Sequence, residues 1–168
     1  MKSLFLDIQS RITTNIPEIT YVRMFNNQLE NAVNNNSTYD FPIPCVFVEF
    51  DNPNEPKQLG NGFQIYEPLN VILHLVVNEL DSYDGNLDQN LNIFDLKDSL
   101  YKVMQKFEPN KASIFIRSAE EQDYDHANIY VWKQTYRTTY IDGLMEEPIN
   151  PTYTTPEDTN LIVTKTIL

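Results

Sequence analysis

The chain is poor in the residue types that brace or mark many proteins. It has one cysteine, Cys45, which excludes an intrachain disulfide and fits a reducing cytoplasm. Four glycines in 168 residues leave no collagen-like or repeat signal. Neither GxGxxG, GxxxxGK[ST], GxSxG nor CxxC occurs, so no signature of dinucleotide binding, nucleotide binding, hydrolysis or dithiol chemistry is present. No apolar run reaches about 18 residues, so no transmembrane helix is expected. Asp7 interrupts the apolar start Leu4-Phe5-Leu6 before a secretion signal can develop. Positive charge is scarce as well: 12 basic residues face 24 acidic ones, a net charge of −12. Gripping nucleic acid requires clustered Lys and Arg, so that role is disfavoured. A surface past which nucleic acid slides without sticking remains compatible.

What is present is a folded-domain composition, 41% hydrophobic and 12% aromatic. The length suits one domain burying roughly two-thirds of its unfolded surface. The stretch Leu69 to Val77 organises the reading. Leu69, Val71, Leu73, Leu75 and Val77 form an apolar row, with Asn70, Ile72, His74 and Val76 between them. Such alternation predicts a central strand with one face buried and the other partly covered. Phe63 to Tyr66 should run into it, with a bulge at Pro68.

The other elements follow in order. Leu4, Phe5, Ile8 and Ile12 predict a short amphipathic helix over 3–14, capped by Ser3 and stopped by Pro17. Thr20–Phe25 and Cys45–Phe50 read as strands, separated by an Asn-rich loop. Ile93, Leu96, Leu100, Val103 and Phe107 recur at steps of three and four, predicting a long helix over 87–107 before Pro109. Ala112–Ser118 is a short strand with Ile114 and Ile116 on one side, and Glu120–Asp125 reads as a loop. Asn128–Ile141 is a long strand with Tyr130, Trp132, Tyr136 and Tyr140 on one face. The expected fold is α+β: a mixed, mainly antiparallel sheet with one long helix packed on it, a short N-terminal helix and an extended C-terminal arm. Residues 1–142 form the domain and residues 143–168 the arm, in which Pro148, Pro151 and Pro156 forbid a continuous helix.

No residue set prescribes catalysis. Asp123, Asp125 and His126 are suitable metal ligands, but in a loop they read as solvated turn residues, and no second ligand group is placed by spacing. His74 reads as a hydrogen-bonded sheet histidine, and Cys45 as a buried, inert thiol. The aromatic row suits core packing or a protein interface better than base stacking, because few cations accompany it.

Three stretches carry a family resemblance: Phe25–Glu30, Phe41–Phe50 and Gln122–Tyr130. With the order of elements, they make residues 1–142 resemble the tail-terminator family of tailed bacteriophages, in sequences of Bacteroidetes phages and prophages. The resemblance implies a structural virion protein without catalytic residues or cofactors. It implies a six- or twelve-fold homo-oligomeric ring at the head–tail neck or tail end, around the channel through which DNA leaves. Its partners would be its own copies and neighbouring neck, connector or tail proteins. Asp51, Glu55, Asp81, Asp84, Glu120, Glu121 and Asp123, read as loop carboxylates, are the expected channel lining. Leu161, Ile162, Val163, Ile167 and Leu168, with Tyr136 and Tyr140, are the expected interface. A monomeric cytoplasmic binding or regulatory module is the alternative; a hydrolase using His74 or His126 ranks last.

Overall fold

The alternate apolar residues of the central stretch do lie at the middle of a sheet. The computed structural model describes residues 1–29, 41–52, 55–59, 63–78, 87–124 and 129–143, with residues 87–92 in their backbone alone. The elements are α1 (Lys2–Asn15), β1 (Tyr21–Met24), β2 (Cys45–Asp51), β3 (Lys57–Gln58), β4 (Gln64–Asn78), α2 (Leu87–Met104), β5 (Ile116–Asp123) and β6 (Ile129–Asp142). The sheet order is β1-β2-β4-β6-β5, with β3 pairing β4 off this path. β1 and β2 are parallel and the remaining pairs antiparallel. The fold is therefore α+β with a mixed sheet, as expected.

Leu69, Val71, Leu73 and Leu75 are fully buried on the inner face of β4. The register of β4 against β6 shifts between Tyr66 and Leu69, around Pro68, which has no N–H to give the ladder. Both helices pack on this face: Leu4, Ile8 and Ile12 of α1 and Ile93, Leu96, Leu100 and Met104 of α2 join the same core. The aromatic row of β6 points into it, with Tyr136 and Tyr140 buried and Tyr130 and Trp132 packed against it.

Several expectations are corrected. The two described helices have 14 and 18 residues, so the contrast between a short and a long helix is modest. Ser3 lies inside α1 and caps nothing; Met1 is the cap position, without a side-chain bond. α2 ends at Met104 rather than Phe107. Lys106 takes the left-handed conformation (φ 61°), which turns the following chain off the helix axis, and its N–H donates to the Phe115 carbonyl at 2.9 Å. Phe107 then packs edge-on to Phe115. The strand expected at 112–118 and the loop expected at 120–125 are corrected too. β5 runs through Glu120, Glu121 and Asp123, and Ala112 contributes only a bridge to Tyr140. Its acidic, polar run reads as a loop by composition, but as an edge strand it takes its pairing from β6 without an apolar row of its own. The expected arm, residues 143–168, lies outside the described residues beyond Gly143.

Candidate functional site

The two sides of β5 and β6 hold different chemistry. On the helix side, Glu120 is a hub. Its carboxylate accepts from Arg117 at 3.0 Å, Trp132 Nε1 at 2.9 Å and Gln134 Nε2 at 3.2 Å, and pairs with Lys97 at 3.2 Å. Gln134, fully buried, also donates to the Lys97 carbonyl of α2 and accepts from Tyr136. Arg117 and Lys97 lie over the rings of Tyr101 and Trp132. Partial burial pushes the Glu120 pKa up, but hydrogen bonds from Lys97 and Trp132 and the charges of Arg117 and Lys97 outweigh it and hold it low. This network ties helix to sheet edge; Glu120 is committed inside the chain.

The outer face carries a second polar row. His74 Nε2 lies 2.8 Å from Glu49, and the imidazole stacks on Phe25 at 4.2 Å, nearly parallel. Burial lowers its pKa despite the opposing pull of Glu49; Lys133 lowers it further and Asp123 opposes. The neutral ring therefore gives its Nε2 proton to Glu49, and Nδ1 is buried with no partner among the described residues. Beside it Lys133 pairs with Asp123 at 2.7 Å. At the same end, Leu29, Cys45, Phe47, Val76, Ile129 and Val131 make a small apolar cluster. Burial pushes the Cys45 thiol up to about 12, so it is no nucleophile at neutral pH. No group of three or more metal-ligating side chains occurs among the described residues.

The other end of the outer face is open. Ile114, Ile116 and Ile141 are each more than 40% exposed. Two of them, with Pro68, Arg137, Ser118 and Thr139, help line an open cleft of about 530 Å³. Arg137 is exposed between Ile116 and Asn70 in register, with no carboxylate partner among the described residues. Ile114 and Ile116 do share a side, as read from the sequence, but Phe115 between them is the buried one. Arg137 was legible only as one residue of an alternating strand.

The candidate lining residues are not gathered on one wall. Asp51 is exposed at the end of β2 and accepts from Asn70, while Glu55 and Glu121 are exposed. Asp123 sits on β5 with a largely covered carboxylate. Asp81 and Asp84 lie outside the described residues, as do Asp125, His126, Leu161, Ile162, Val163, Ile167 and Leu168. Tyr136 and Tyr140 are 0% and 3% exposed, so they pack the chain's own core and are not a surface for a partner. Among the described residues, no helix is long and apolar enough to cross a membrane. The sequence matches no known family model and no curated protein.

Proposed function

We propose that the chain is a structural protein of a tailed-phage virion. In this reading it forms a homo-oligomeric ring at the head–tail neck or tail end, joins connector to tail and surrounds the DNA exit channel. The assembly part is carried by one observation: the helices cover one sheet face, while the opposite face leaves Ile114, Ile116 and Ile141 exposed. Exposed apolar side chains grouped on one face are what a protein neighbour covers. The placement at the neck rests on the likeness of Phe25–Glu30, Phe41–Phe50 and Gln122–Tyr130 to phage sequences. The charge of −12 suits a wall that DNA passes without adhering. Of the candidate lining residues, Asp51, Glu55 and Glu121 are described and exposed. Residues 143–168 act as an arm that orders on a neighbouring protein.

Size-exclusion chromatography with light scattering, followed by negative-stain imaging, tests the reading. The expected particle is a ring of six or twelve chains of 19.6 kDa. A monomer at every concentration would reject it in favour of a monomeric binding module.

A further inference from the structure

We propose that the cleft around Arg137 seats residues 144–168 of a second copy of this chain, laid along the free edge of β5. Three observations lead there. The described chain leaves the sheet at Gly143, one residue past β6, beside Ile141 of the same exposed face. The remaining residues, extended, reach up to ~80 Å, enough to arrive at a neighbour. Their chemistry also complements the cleft. Leu144, Met145, Ile149 and Leu161–Val163 match Ile114 and Ile116 in the cleft and Ile141 on the same face, while Glu146, Glu147, Glu157 and Asp158 offer carboxylates to the guanidinium of Arg137. The cleft's own carboxylate, Glu67, pairs with Lys57. Finally, β6 is the one strand that pairs β5 among the described residues. Although the Arg117 N–H is taken by the Gln105 side chain at 3.0 Å, the edge beyond it pairs with no further strand among those residues and can accept an extended segment. Pro148, Pro151 and Pro156 favour such a path over a helix.

The choice of a second copy as donor rests on the ring reading. A segment passed to the next copy makes a head-to-tail interface, the kind that closes into rings. The seat itself rests on the cleft.

Cross-linking of full-length chains tests both parts. In a Cys45→Ala background, Ser118→Cys places a thiol in the cleft, and Ile149→Cys or Ile162→Cys places one in the segment. Chains tagged at different lengths are mixed and treated with a short bismaleimide. The expected product joins a cleft variant to a segment variant. Ile116→Asp with Arg137→Glu, both surface changes, should abolish that product and shift the assembly to lower mass, with thermal unfolding near that of the parent. A link formed within single chains of the double-cysteine variant would overturn the second-copy donor. No product from either segment position would overturn the seat. Rings that survive Ile116→Asp with Arg137→Glu would also overturn the seat while leaving the ring reading standing. A parent protein that stays monomeric removes the ring reading, and the second-copy donor with it.

Discussion

Glu120 shows how far one side chain's role depends on its neighbours. Four donors converge on a carboxylate whose side chain is 21% exposed. Glu120→Gln keeps the shape but loses the charge, so it should cost about 1–3 kcal/mol by chemical denaturation at neutral pH. Because its folded pKa is lowered, the contribution is complete above the ordinary carboxylate value. It is lost as pH falls through the folded value, so the gap to the parent should close in acid. A gap that does not change with pH would mean that packing, not charge, was lost. His74 runs by its own sign. Its pKa is lowered by burial, so below about 6.5 the unfolded chain takes up a proton that the folded chain resists. Stability should therefore drop as pH falls from there towards the folded value. His74→Gln should flatten the difference in Tm between about pH 7.5 and 5.5; an unchanged slope would place the titration elsewhere.

At the scale of elements, α2 is held by its buried stripe. Leu100 is fully buried against the sheet. Leu100→Ala should cost about 2–5 kcal/mol through the cavity it leaves. Leu100→Asp should prevent cooperative folding, since it buries an unpaired charge. Asp98→Ala, on the exposed side of the same helix, should stay within about 0.5 kcal/mol. Thermal unfolding of the three variants ranks them; near-parental melting of Leu100→Asp would show that the stripe is not core. β5 is the opposite case. Its side chains are mostly polar and no second strand pairs it among the described residues, so its place comes from pairing with β6, from the Arg117 N–H bond to Gln105 and from the Glu120 hub.

For the whole molecule the dominant quantity is charge. A net −12 should keep duplex DNA from binding even at low salt, because too few cations are available to displace counterions. Mobility shift of a duplex at about 10 mM salt should show free DNA. A shift that disappears as salt is raised would reveal a basic face and defeat the non-adhesive channel wall.

The sequence alone was enough for β4, β6 and both helices, though it put the aromatic row on one face of β6 without deciding between core and interface. In each, a buried side repeats at the period of its backbone, 2 for strands and 3.6 for helices. Pro17 and Pro68 marked a helix stop and a bulge because a missing N–H has the same effect wherever it stands. Tertiary structure decided the rest. β5 carries no apolar alternation, since an edge strand takes its stability from its partner. Arg117 is a neighbour of Glu120 on β5 itself, but Lys97 and Lys133 reach Glu120 and Asp123 from α2 and β6. Local spacing placed Ile114 and Ile116 on one side, but could not say that this was the open side. That assignment depends on which face the two helices cover, and the helices are distant in sequence from the residues they leave bare.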